Sequence, residues 1–121
     1  MAFADPQSLP IFGVTETLPR VSTGVNNSTY QAASGAVKMT VAHQYGKRTR
    51  RTIRIQHTKT TPDPLIETHN IRVSASVYVV VDIPAGGAYT NAEVKDLCVA
   101  LSSYLTASTN ANSLKLAGGE N

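Results

Sequence analysis

The longest regular pattern in the chain is an alternation. From Ile71 to Ile83 every odd position is apolar (Ile71, Val73, Ala75, Val77, Val79, Val81, Ile83), whereas the even ones are Arg72, Ser74, Ser76, Tyr78, Val80 and Asp82. Period two over that length predicts a long strand with one covered face and one polar face. Two alternations precede it. Val37, Met39 and Val41 point one way and Lys38, Thr40, Ala42 and Gln44 the other; farther on, Ile53 and Ile55 oppose Arg50, Thr52, Arg54 and Gln56. "QYGKR" is the turn between these two strands. A two-residue loop at Tyr45-Gly46 would set polar side chains against apolar ones, which a one-sided sheet does not accept. A three- or five-residue loop is expected instead, with Gly46 free to take a positive φ. Lys38, Thr40, Ala42 and Gln44 then share a face with Arg50, Thr52, Arg54 and Gln56, and the basic residues converge.

The pattern changes after "PAGG". Thr90-Asn91-Ala92-Glu93 is a capping box, and Val94, Leu97, Cys98, Leu101 and Leu105 recur at helical spacing. This predicts a main helix ending near Ala107, with room for a short second one around Leu114 and Leu116. The first third of the chain is rich in Ser, Thr, Pro and Gly. Val14 to Leu18 suits a short strand, Pro19 an edge, Ser22 to Ser28 a turn, and Thr29 to Ala33 another short strand. The expected organisation is a single α+β domain over residues 1–121: a peripheral N-terminal hairpin and short strand (1–36), an antiparallel main sheet (37–83) and a helical region (90–117). "TTPDPLIETHN", from Thr60 to Asn70, is a loop stiffened by Pro62 and Pro64. Leu65 and Ile66 in it either form a contact surface or tuck under the domain.

One helix of about seventeen residues is roughly 25 Å long and cannot roof such a sheet. Two-fold association would complete the cover, so an obligate dimer is expected.

Composition narrows the class. The chain has 121 residues, 41% hydrophobic and 16% charged, which suits a single folded domain rather than a disordered chain. No apolar run approaches the ~20 residues of a membrane span, and "MAFADPQSLPIFG" lacks the basic flank and apolar core of a secretory leader. Cys98 is the only cysteine, which excludes an internal disulfide and fits a reducing compartment. The net charge of +3 is unevenly spread: seven of the eleven Lys and Arg lie between Lys38 and Lys59, and no Asp or Glu occurs from Val21 to Pro62. A basic zone of this kind points to a polyanion, with nucleic acid foremost; solubility, or protection of a sheet edge by charge, is the plainer alternative.

Enzymatic chemistry is not expected. His43, His57 and His69 are the only histidines, and His43 and His57 fall on the covered face without a carboxylate or thiolate to complete a metal site. No phosphate loop, nucleophile elbow or paired acids appear. Cys98 on the helix stripe is expected in the core. Asp82, the one carboxylate on the polar face, either spaces the arginines or accepts from a base. No cofactor, membrane or small-molecule substrate is implied.

The order of these elements resembles the coat proteins of single-stranded RNA bacteriophages, the levivirus family. "RTIRIQ" is similar to that family's basic strand, and "VVVDIP", a loop and a capped helix to its last strand and helix entry. The resemblance implies an interlocked dimer with a continuous sheet, assembling in the bacterial host cytoplasm into an icosahedral virion shell around the RNA genome. It also implies an RNA stem-loop on the sheet face, with repression of replicase translation. By position, Lys38, Thr40, Arg50, Thr52, Arg54, Ser76 and Tyr78 would bind RNA. Pro62, Pro64, Leu65 and Ile66 would meet neighbouring dimers. Two positions depart from the family's pattern. Its stacking tyrosine would fall at Ser76, with Tyr78 one pleat farther on, and Ala42 stands where a hydroxyl residue is usual. Apart from the resemblance, splayed bases of a stem-loop need stacking planes and hydroxyl partners, and phosphates need Arg and Lys. Tyr78 fits that use, though it also reads as an ordinary half-buried strand tyrosine. The alternatives are a dimeric RNA-binding regulator that forms no shell, and a shell or fibre subunit whose basic face is only electrostatic lining.

Overall fold

The computed structural model describes residues 3–121. It divides into a β unit, up to Ile83, and a helical unit, Pro84–Asn121. The β unit runs β1 (Gln7–Ile11), β2 (Val14–Leu18), β3 (Arg20–Thr23), β4 (Asn27–Gln31), β5 (Val37–Gln44), β6 (Arg48–Pro62) and β7 (Asn70–Pro84). The helical unit is α1 (Asn91–Ala117).

β1 and β2 form a separate two-stranded hairpin, and the other five strands make one sheet in the order β3-β4-β5-β6-β7. Pro10 sits in β1 opposite Thr15, in a strand whose other side has no ladder to break. The hairpin turns at Phe12-Gly13, both with positive φ (51° and 79°), the geometry of a tight turn that follows the strand twist. The Phe12 ring meets His57 edge-on at 5.0 Å. Leu9 and Ile11 of the hairpin pack on the buried cluster of Leu18, Tyr30, Ala32, Val37, Met39 and Val41. The core therefore lies between the hairpin and the β4–β5 half of the sheet. Arg20 closes its edge, donating from Nη2 to the Tyr30 hydroxyl at 2.8 Å and to the Phe3 carbonyl at 2.9 Å. The hydrogen bond to Tyr30 raises the Arg20 pKa above its ordinary value, so the group stays charged.

The β5–β6 register is the one that facing side chains require. Gln44 lies opposite Arg50, Ala42 opposite Thr52, Thr40 opposite Arg54 and Lys38 opposite Gln56. The odd residues Val37, Met39 and Val41 are buried. Gly46, however, does not take the expected positive φ. A Cβ there would meet only the Arg48 carbonyl oxygen, at 3.7 Å, so burial on the odd face, rather than turn chemistry, holds this register.

Two stretches of the β unit differ from the sequence pattern. Ser22 to Ser28 is not all turn: β3 and β4 flank a tight reversal at Gly24, whose N–H donates to the Asn27 carbonyl at 2.9 Å. The loop expected from Thr60 begins only after Pro62, because β6 runs on past the end of β5. Asp63 and His69 close that loop with an N–H···O bond of 2.8 Å, and the Asp63 carboxylate accepts from the Leu65 N–H at 2.8 Å.

In the helical unit Thr90 caps α1 as its sequence predicts, accepting from the Glu93 N–H at 3.2 Å. The helix breaks after Thr106: Ser108, Thr109 and Asn110 all take left-handed φ (53°, 60° and 66°). Two side chains beyond the break satisfy carbonyls that the reversal leaves open. Asn112 Nδ2 donates to the Tyr104 carbonyl at 2.8 Å and Ser113 Oγ to that of Leu105 at 2.7 Å. The short second helix predicted around Leu114 and Leu116 is thus a capped arm of α1. No described residue of α1 is buried. Cys98, expected in a core, is exposed in the single chain, as is Leu97 of the same stripe at 62%.

Candidate nucleic-acid interface

Two strands with matched parity put Lys38, Thr40, Arg50, Thr52 and Arg54 on the same side of the sheet. β4 extends this face. Thr29 pairs with Thr40 and Gln31 with Lys38, while Tyr30 pairs with Met39 on the buried side. Asn27, Thr29 and Gln31 are therefore face residues that the sequence pattern missed. Their alternation with Ser28 and Tyr30 carried the signal, obscured by the turn-forming composition around them.

Side-chain contacts carry the face across to β7. Arg54 Nη2 donates to Ser76 Oγ at 2.9 Å. Asp82 accepts from Arg48 Nε at 2.9 Å and lies 3.7 Å from Arg50 Nε. Even-numbered residues of β7 thus face the same way as the arginines, and Tyr78 lies between Ser76 and Asp82 on that side, 61% exposed. All seven predicted face residues come together. Ser76 is no stacking plane; it fixes the Arg54 guanidinium, and the exposed aromatic is Tyr78. Asp82 holds two arginines.

Arg51 of the basic strand lies off this face. Its odd parity turns it toward His43 Nδ1, 3.3 Å away, and its guanidinium lies 5.4 Å from the Tyr45 ring centroid. His43 therefore has an arginine neighbour, not a metal ligand set, and among the described residues no group of three His, Cys, Asp or Glu could hold a metal. The face offers guanidinium and ammonium groups for phosphates, hydroxyls for base edges and one aromatic plane. That set suits the phosphates and splayed bases of a structured RNA.

The opposite face is covered on one half only. Toward β7, Val77 is 71% exposed, and Ile53, Ile71 and Val79 are each more than a third exposed. In the β6–β7 connection Leu65 is 90% and Ile66 52% exposed, so in the single chain neither residue is tucked under the domain.

Solved structures carry this same architecture. A virus-like particle of bacteriophage AVE019 superposes with a TM-score of 0.79 at 13% identity, covering 98% of this chain and 97% of the other. The chain has the coat-protein fold of the RNA bacteriophages. The virus-like particle of Beihai levi-like virus 21 gives 0.72 at 11% identity, covering 96% of each chain. An unassembled bacteriophage coat-protein dimer, described as RNA-binding, gives 0.58 at 14% identity, covering 97% of this chain and 95% of its own. No protein-family model and no curated protein matches the sequence. At such identities the coat fold is shared as an order of strands and an alternation of faces, which many sequences can satisfy.

Proposed function

We propose that the chain is the coat protein of an RNA phage, a single coat-protein domain that pairs into an interlocked dimer with a continuous sheet. The dimers close into an icosahedral shell that packages the genome. The supporting observation is a coat fold over nearly the whole chain, with a basic polar face on one side and a half-covered apolar face on the other. The open row on β7 and the unburied stripe of α1 are the surfaces that a second copy would cover. The polar face then lines the shell. Lys38, Arg50 and Arg54 take phosphates; Thr40 and Thr52 meet base edges; Tyr78 stacks on an unpaired base; Ser76 acts by holding Arg54. Bound to a stem-loop at the replicase start, the dimer represses translation. Pro62, Pro64, Leu65 and Ile66 form the contact between dimers, and the assembled product is a virion formed in the cytoplasm of a bacterial host.

The test is expression of the full chain, nuclease treatment and size exclusion read at 260 and 280 nm. With no Trp and five Tyr, protected RNA dominates the absorbance ratio. Nuclease-resistant, round particles in the void volume are expected. A free dimer that binds RNA without forming particles would instead mark a regulator. A free protein indifferent to RNA would refute both.

A further inference from the structure

A cleft of about 520 Å³ opens where β5 turns into β6, lined by Asn26, His43, Gln44, Tyr45, Arg48 and Arg50. Arg48 and Arg50 belong both to this cleft and to the polar face, so the two are continuous. Tyr45 is 62% exposed, yet its ring is braced. Arg51 lies 5.4 Å from the ring centroid, donates to the Tyr45 hydroxyl at 3.3 Å and is itself steadied by His43. An aromatic plane fixed from one side loses little freedom when a base stacks on the other. Asp82 contacts Arg48 and Arg50 through Nε in both cases, so the Nη groups are the donors that a phosphate would meet.

We propose that this cleft is a second RNA subsite for a single-stranded nucleotide flanking the hairpin, with its base stacked on Tyr45 and its phosphate between Arg48 and Arg50. The inference rests on the RNA-binding reading of the sheet face and adds to it a preference for hairpins with unpaired flanks. Asn26 and Gln44 supply amide groups for the base edge, which gives the subsite some choice among bases.

The experiment uses the full chain and a fluorescein-labelled RNA hairpin selected on it from a random-loop pool. The hairpin is tested blunt and with a short oligoadenosine tail on either end. Fluorescence polarisation should show one tail tightening binding by roughly five- to a hundredfold, the range of one stacked base. Tyr45→Ala should abolish that gain and leave the blunt hairpin's affinity unchanged, whereas Tyr45→Phe keeps the gain. Because neither substitution alters charge, a gain that survives in Tyr45→Ala comes from phosphates bound elsewhere and overturns the proposal. So does a wild type indifferent to both tails. Loss of blunt-hairpin affinity in Tyr45→Ala alone would put Tyr45 inside the hairpin site and also overturn it. If no hairpin can be selected, the RNA-binding reading of the face fails first and the subsite with it.

Discussion

Truncating Val77 tests the dimer at a position where the structure sets the size of the effect. Val77 points from the uncovered row of β7 and keeps 71% of its surface exposed in the single chain. Val77→Ala removes two methyl groups, worth about 0.8 kcal/mol each when fully buried. Scaled by the surface left for a partner to cover, the loss is about 1.1 kcal/mol per protomer. A two-fold axis counts every substitution twice, giving about 2.3 kcal/mol per dimer, or roughly a fiftyfold weaker dimer. Val25→Ala is the control: the same chemistry at a turn position that is 99% exposed. The assay is urea unfolding followed by far-UV circular dichroism over a range of protein concentrations, below the threshold for shell formation. Unfolding of a pairing chain shifts with concentration, which yields the dimer constant. The reasoning fails if Val77→Ala and Val25→Ala give the same constant, or if the wild-type midpoint does not move with concentration.

Three further outcomes follow from side chains already placed. Asp82→Asn frees Arg48 and Arg50 from their counter-charge, so RNA of any sequence should bind more tightly; the slope of log affinity against log salt should steepen by about 0.7–0.9, as read by filter binding over a salt series. Leu65→Asp should leave the dimer intact and prevent shells, because each of the contacts between dimers proposed above would lose about 1.5–3 kcal/mol of apolar burial; electron microscopy and size exclusion distinguish the two states. Thr90→Ala removes the acceptor for the Glu93 N–H and should cost about 1 kcal/mol of stability, measured by the same urea unfolding, with RNA affinity unchanged.

The sequence made some of this visible because some of it depends on parity alone. The β5–β6 register needed only the knowledge that Ile53 and Ile55 cannot face Lys38 and Thr40, and parity carried Lys38, Thr40, Arg50, Thr52 and Arg54 onto one face. The capping box at Thr90 was equally local. β3 and β4 were less legible, since Ser22 to Ser28 is turn-rich in composition although only its middle turns. The loop before β7 starts later than its composition suggests because Thr60, Thr61 and Pro62 can end a strand or extend one, and only pairing decides. The break at Ser108 to Asn110 depends on hydrogen bonds from Asn112 and Ser113, which no periodicity reveals. Asp82's grip on two arginines and the bracing of Tyr45 by Arg51 likewise needed the strands in place. The expected burial of Cys98 failed in the single chain for another reason: a helical stripe shows that an apolar face exists, not which molecule covers it.

The placement of the core has a consequence for synthesis. Every strand of the larger sheet pairs with its neighbour in sequence, and the buried cluster with its packing partners spans only Leu9 to Ile55. Contacts so local form quickly. At about 5–20 residues per second, adding the residues from Ile55 to the end of α1 at Ala117 takes roughly 3–12 s. The core can therefore close, with the basic strand in place, before α1 is complete. Pairing through β7 and α1, in the dimer proposed above, is then the late and second-order step. Its rate therefore rises with the concentration of chains whose cores have already closed, and dilution slows pairing without slowing the folding of the β unit.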